Sequence, residues 1–340
     1  MSHNKLKIAV LGLHDSPANL LDVAARSAYL QILAVADRDA DLAKKLAEKY
    51  NCLPFDDYRQ LVVQNQLDLL IVAAPPHISA EYIKAALEKG SNVLKLPPPA
   101  RSLEETTEFF RLATRQNVRF FSSGCLRFTP GFMELHNRLS NYPMQNIFLI
   151  TALCSVQPQN SHRWQSDPKL SGGGVLLHES YELIDRLTAC FSLPQSVYAL
   201  NTNLAADLQQ RLYSAEDNAL ITMRFSDHMV ANVIAGRDIG PAGQSLTIYG
   251  KDMNFYASQN RFLLCDTAGR IIEEKNFPAD QDACVTALLE NAALGIISPE
   301  QPAVDTSLKA ALPAMAVIEA AYLSARTAMP EEPPRILDIQ

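Results

Sequence analysis

The sequence predicts an α/β domain with a doubly wound parallel sheet, followed by an α+β domain built on a large, mainly antiparallel open sheet. Three observations carry this reading. Through residue 123, short β-branched runs alternate with amphipathic segments of helical length. From about residue 145, strand-like segments follow one another with one strong helix among them. A chain of 340 residues with 48% apolar content suits two cores better than one.

The elements follow in order. "KIAVLG" (7–12) precedes a helix expected to begin near Pro17, and "LQILAVAD" (30–37) precedes "RDADLAKKLAEKY". "LDLLIVAAP" (67–75) precedes "HISAEYIKAALEKG", "SNVLKL" (91–96) precedes "SLEETTEFFRLATRQ", and "VRFFSS" follows. Continuous apolar strands separated by helices belong to a parallel sheet covered on both faces. The second half reads "QNIFLITALCSV", "SVYALNTNL", "NALITMRF", "HMVANVIAG", "QSLTIYGK" and "RFLLCDTAG", with the helix "VLLHESYELIDRLTACF" inside and two more near 280–295 and 306–326. The boundary is placed between residues 124 and 125. The proline-rich tail "PEEPPRILDIQ" is expected to lie extended on the surface.

Thirty Lys and Arg against 37 Asp and Glu give a net charge of -7, with no basic run, which excludes an electrostatic nucleic-acid or membrane surface. The expected partner is a small molecule. Six dispersed cysteines, without zinc-like spacing, read as reduced core residues. "MSHNKLK" enters a strand without the apolar stretch of a signal peptide, and "LLIVAAPP" falls short of a membrane span, so the expected compartment is the cytoplasm.

The chemistry begins at the first turn. In a dinucleotide turn the first glycine makes the bend, the second admits the pyrophosphate and the third lets helix and strand pack closely. Gly12 fills the first place, while the second falls on His14 and the third on Pro17. Ser16 followed by Pro17 forms an N-cap and first-turn pair, which keeps an anion site in outline beside Leu13 and His14. The alternative is a bare structural turn, with Asp15 as an internal anion. Asp37, which closes the second strand 25 residues after Gly12, either accepts from an NAD ribose or caps the next helix; Arg38 beside it could attract a 2'-phosphate. NAD is favoured over NADP. Ala74, Pro75 and His77 follow the third apolar strand at the edge where ligands of doubly wound sheets bind, and His77 either caps the next helix or touches a cofactor.

The series "VADRD", "VAAPPHISAEYIKAALEKGSNVL", "RFTP" (127–130), "RWQSDPKLSGGGVLLHESYELID" (163–185) and "AVIEAAYLSAR" (316–326) resembles the Gfo/Idh/MocA oxidoreductases, named after glucose-fructose oxidoreductase and inositol dehydrogenase. The most specific marks are Arg127, Phe128, Pro130, Trp164, Asp167, Pro168 and Gly172 to Gly174. The resemblance implies an N-terminal Rossmann domain for NAD or NADP and a C-terminal domain whose open sheet supports a substrate cleft and often a dimer contact. Many relatives oxidise a ring hydroxyl of a sugar or cyclitol. Proton transfer there is commonly assigned to the lysine of a Glu-Lys-Pro strand end, with an aspartate and a histidine four residues apart on a helix. This sequence departs at each point: the triplet aligns with Leu96, Pro97 and Pro98, the aspartate with His178 and the histidine with Glu182.

On the helix "VLLHESYELIDRLTACF", His178 and Glu182 lie one turn apart on the same face and can form a proton-transfer dyad in which the carboxylate orients the imidazole. The same pair supplies at most two metal ligands, with no identifiable third, so no metal is expected. A plain polar contact beneath the "GGG" loop is the bland reading. Lys95 points to the same side of its strand as position 97, about 6.6 Å further in, and is either a proton-transfer group or a structural lysine that snorkels. Two functions remain open: an NAD(P)-dependent oxidoreductase acting on a sugar- or cyclitol-like alcohol or ketone, or a catalytically degenerate member serving as a ligand sensor or regulatory protein. A homodimer or homotetramer is expected, because "NALITMRF" and "HMVANVIAG" carry apolar residues at both phases of the strand.

Overall fold

The computed structural model describes residues 5–157, 163–203, 214–298 and 304–339. The chain forms two compact units, one holding residues up to Ala100 with Glu104–Cys125 and Asp280–Ala311, the other holding Arg101–Leu103, Leu126–Ala279 and the chain from Leu312 onward.

The first unit is a six-stranded parallel sheet of β1 (Leu6–Leu11), β2 (Leu30–Ala36), β3 (Leu53–Phe55), β4 (Leu69–Val72), β5 (Asn92–Lys95) and β6 (Phe120–Ser122), in the order β3-β2-β1-β4-β5-β6. Helices α1 (Leu20–Arg26), α2 (Ala40–Tyr50), α3 (Tyr58–Gln64), α4 (Pro76–Glu88) and α5 (Leu103–Arg115) connect the strands. All four residues of β4 are fully buried, as a strand covered on both faces requires. The strand order reverses between β1 and β4, and ligands of such sheets bind at the carboxyl edge beside that reversal. The helix Gln281–Ile297 also belongs to this unit and packs on α1.

Helix α1 starts at Leu20, not near Pro17. Ser16 does not cap it, because its hydroxyl donates back to the Leu13 carbonyl at 2.8 Å. Asn19, at the N-cap position, makes no cap bond and instead donates to Asp282 at 2.7 Å. The missing cap is thus explained by two side chains committed elsewhere.

The second unit carries α6 (Pro130–Leu139) and an eight-stranded sheet of β7 (Ile147–Val156), β8 (Ser196–Thr202), β9 (Asn218–Arg224), β10 (Val230–Arg237), β11 (Gly243–Gly250), β12 (Met253–Ser258), β13 (Arg261–Asp266) and β14 (Ile271–Asn276). The order is β14-β13-β12-β11-β7-β10-β9-β8, antiparallel except where β7 meets β10. Val197, Ile221, Val233 and Ile150 face the covered side and are fully buried. The other side is open. Across it Leu153, Ile234, Leu220 and Leu200 stand in register on four neighbouring strands, exposed by 42, 41, 44 and 53%.

Three one-turn helices, α7 (Arg163–Ser166), α8 (Pro168–Ser171) and α9 (Val175–His178), lead into the longer, mostly buried α10 (Tyr181–Phe191). The tail is not extended, since Pro333–Ile339 is helical and Glu331 pairs with Val197. The helix Leu308–Thr327 is long and apolar enough to cross a membrane by length and composition, but 56% of its most apolar window is buried within the fold. A core helix passes the same test.

Candidate dinucleotide turn and cleft residues

In the first unit, Gly12 adopts φ +88° and hydrogen-bonds through its amide to the Ala36 carbonyl at 2.9 Å. A Cβ there would drive into the backbone and side chain of Ala74, so the bend requires glycine for its conformation and for the close approach of β4's end. The Asp37 carboxylate closes the turn. Its Oδ2 accepts the amides of Leu13 at 2.7 Å and His14 at 3.1 Å, while Oδ1 accepts the Asp39 amide at 3.0 Å and lies 3.3 Å from His14 Nδ1. Burial acts to raise the Asp37 carboxyl, but the Asp39 and His14 amides, the His14 ring and the Leu13 amide together hold it below its ordinary value.

Asp37 therefore ties the glycine turn from within, a role beyond the two that spacing suggested; Asp39, not Asp37, caps α2. The turn fits a dinucleotide through its bend: Gly12 keeps the close approach to Ala74, while the Leu13 and His14 amides already bond Asp37 and the His14 side chain, 62% exposed, lies against that carboxylate. The exposed guanidinium of Arg38 lies 6.0 Å from the Tyr58 ring centre, and burial pushes the Tyr58 hydroxyl up to about 12. Pro75 and His77 flank Pro76 at the start of α4, where His77 sits in the first turn without capping it.

Lys95 does not snorkel. It is 1% exposed, ends β5, and its Nζ donates to the Leu96 carbonyl at 2.6 Å. Burial pulls its pKa down to about 7, opposed in part by the charges of Asp15 and Glu105.

In the second unit the "RW…DP…GGG" segment is a set of helix terminators. Asp167 caps α8 by accepting the Lys169 amide at 2.9 Å, Pro168 opens that helix, and Gly172 ends it at φ +81°. Gly174 abuts the backbone of Glu216, and Gly173 the hydroxyl of Tyr322, so neither site has room for a Cβ. Glu216, 8% exposed, accepts the amides of Gly174 at 2.9 Å and Leu176 at 3.0 Å and the Tyr322 hydroxyl at 2.9 Å. It fixes the start of α9 from 40 residues away, and no local pattern in the sequence signals it.

His178 ends α9, and Glu182 lies in the first turn of α10; a break at Glu179 and Ser180 separates the two helices. The four-residue spacing consequently does not stack them on one helical face, and the dyad geometry expected from the sequence is not formed by the helix. His178 Nε2 lies 3.0 Å from the Ser171 carbonyl, and its ring meets Trp164 edge-on at 5.4 Å. Glu182 Oε1 accepts the Leu126 amide at 2.9 Å. Burial pushes the Glu182 carboxyl up to about 7, with the Leu126 amide, Arg127 and Arg186 opposing and Asp185 adding to the rise. Beside it, buried Arg127 forms a bidentate pair with Asp185. Among the described residues no group of three His, Cys, Asp or Glu could hold a metal ion.

Residues 6–124 match the model of the Gfo/Idh/MocA oxidoreductase family's NAD-binding Rossmann fold, and residues 145–332 match that of its C-terminal alpha/beta domain. The chain belongs to this family. As a Gfo/Idh/MocA member, it is 24% identical over 262 residues to an uncharacterized oxidoreductase of Synechocystis, covering 72% of this chain and 70% of the relative. It is also 24% identical over 246 residues to D-glucoside 3-dehydrogenase of Escherichia coli, covering 66% and 68%. Other relatives are matched over about half of their own length. The fold is that of levoglucosan dehydrogenase, solved with NADH and levoglucosan, at a TM-score of 0.84, 16% identity and coverage of 97% and 99%.

Proposed function

We propose that this Gfo/Idh/MocA protein is an NAD(P)-dependent oxidoreductase that moves a hydride between a nicotinamide dinucleotide and the carbinol or carbonyl carbon of a sugar- or cyclitol-like molecule. The observation that carries this reading is the two-part family match over residues 6–124 and 145–332. Relatives named for D-glucoside and scyllo-inositol dehydrogenation support the substrate class.

The dinucleotide, when bound, supplies the hydride acceptor or donor. Gly12, Leu13 and His14 would hold it at the turn, Ala74, Pro75 and His77 at the end of β4, and Asp37 and Arg38 at the end of β2. NAD is favoured over NADP because the depressed Asp37 carboxyl keeps a negative charge where a 2'-phosphate would lie. Hydride transfer leaves or needs a proton on the reacting oxygen, and His178 is the proposed group to handle it. The Ser171 carbonyl, 3.0 Å from Nε2, is the proposed orienting partner of the imidazole, with Glu182 in the next helix.

The protein is proposed to act in the cytoplasm, in line with six free cysteines, and as a homodimer or homotetramer through the apolar row on the open sheet face. Fluorescence titration with NADH and a turnover panel of sugars and cyclitols test the function. Saturable binding below millimolar concentration with turnover is expected; no binding overturns the cofactor assignment, and His14→Gly should tighten binding if its side chain crowds the turn. A second reading, a ligand-responsive regulator, is favoured by Pro97 in the place of the family lysine and by the commitment of Glu182 to Leu126. Binding without turnover on any panel member would select it.

A further inference from the structure

Lys95 is buried with one hydrogen-bond acceptor, the neighbouring Leu96 carbonyl. A buried ammonium ordinarily carries a carboxylate in contact, because loss of water without a partner strongly disfavours the charged form. Here the two acids that act on it, Asp15 in the glycine turn and Glu105 in the first turn of α5, do so through charge alone. One acceptor suffices for a neutral amine but leaves an ammonium short of partners.

The position matters as much as the burial. Lys95 is level with Val72 of β4, and the chain after Val72 runs through Ala73 to Ala74, the residue pressed against Gly12. It therefore stands at the carboxyl edge, one strand from the reversal between β1 and β4. Asp15 acts on it from the turn itself, and a Coulomb interaction is reciprocal and needs no contact. Any anion held at that turn acts on the same amine in the same sense. Main-chain donors are scarce there too, since Asp37 takes the Leu13 and His14 amides.

We propose that Lys95, buried at the carboxyl edge with one carbonyl acceptor and no carboxylate in contact, is a ligand-linked proton acceptor that gains a proton from solvent when a dinucleotide places its pyrophosphate at the turn. The proton adds to the Nζ lone pair, and the new positive charge strengthens the hold on the anion. Lys95 is thus a positioning residue that sets the pH range of binding. This inference rests on the dinucleotide reading of the same site.

Isothermal titration of NADH into the full chain, in phosphate-free buffers of different ionisation heat (Hepes and Tris at pH 8, Mes and Bis-Tris at pH 6), measures proton uptake from the difference in apparent heat. Uptake of roughly half a proton or more is expected at pH 8 and almost none at pH 6, with NADH affinity weakening by up to about tenfold per pH unit above neutrality. Lys95→Met, checked for folding by thermal melt, should bind with no uptake and a flatter pH profile. Asp15→Asn should shift the wild-type profile to lower pH, which keeps the test open if Lys95→Met fails to fold. NADH binding without uptake at pH 8, or equal uptake in folded Lys95→Met, overturns the inference alone. No saturable NADH binding overturns it together with the dinucleotide reading.

Discussion

Arg127 and Asp185 are joined by two hydrogen bonds of 2.6 Å, Nε to Oδ2 and Nη2 to Oδ1, with side chains 7% and 2% exposed. The pair ties the 3-10 turn Cys125–Phe128 to the middle of α10, and Arg186 adds a bond to the Arg127 carbonyl at 3.0 Å. Removing one partner leaves the other charge buried alone, so Arg127→Met should lower stability by about 3–5 kcal/mol. Arg127→Met with Asp185→Leu should recover much of that loss. Urea unfolding midpoints of the single and double variants test the pair; equal destabilisation in both would show that packing, not charge, is what matters.

Asp37 should matter to the turn before it matters to any ligand. Asp37→Asn replaces two acceptor oxygens with one and turns a donor toward the amides, at an expected loss of about 1–3 kcal/mol. Its folded carboxyl lies below the ordinary 3.8, so its stabilisation is present above that value and is lost as pH falls through the lower folded one. The difference in melting temperature between wild type and variant should therefore be full near pH 6 and shrink on acidification. A gap that stays constant would mean the charge does not stabilise the turn.

Glu182 has the opposite sign. Its carboxyl is raised from 4.5 to about 7, so the folded protein holds a proton that the unfolded chain releases, and stability falls as pH rises through that window. Glu182→Gln keeps an acceptor for the Leu126 amide and should be more stable than wild type above pH 7 by on the order of 1–3 kcal/mol. Near pH 4 the two should melt together. A variant less stable at every pH would point to a need for the ionised form.

His178→Ala should reduce turnover by about 10²- to 10⁴-fold, the usual effect of losing a proton-transfer group. Glu182→Gln should reduce it less, because the Glu182 carboxylate is held by Leu126. Steady-state rates on whichever panel substrate is active decide this. Full turnover in His178→Ala would remove the imidazole from the reaction.

Ile234 stands between Leu153 and Leu220 in the exposed row. Ile234→Glu places a charge at the centre of that apolar strip and should shift the mass seen by light scattering toward the monomer, with the circular dichroism unchanged. A wild type already monomeric at micromolar concentration would reject the face as a self-contact.

The sequence by itself determined the doubly wound first sheet, the open second sheet and the glycine bend, because each leaves a local trace. Buried parallel strands read as unbroken apolar runs, strands that follow one another without intervening helices read as an antiparallel sheet, and Gly12 occupies a bend that demands a positive φ. What only the tertiary structure decided lies in contacts between distant residues. The return of Asp280–Ala311 to the first unit depends on apolar faces that carry no address, and on Asp282, which draws Asn19 away from capping α1. The break between His178 and Glu182 arises where Glu216 anchors the preceding turn and Leu126 takes the Glu182 carboxylate. Lys95 reads in sequence as one more strand-end lysine. Its burial without a contacting acid follows from which strands and helices close over it, and that closure pulls its pKa down to about 7.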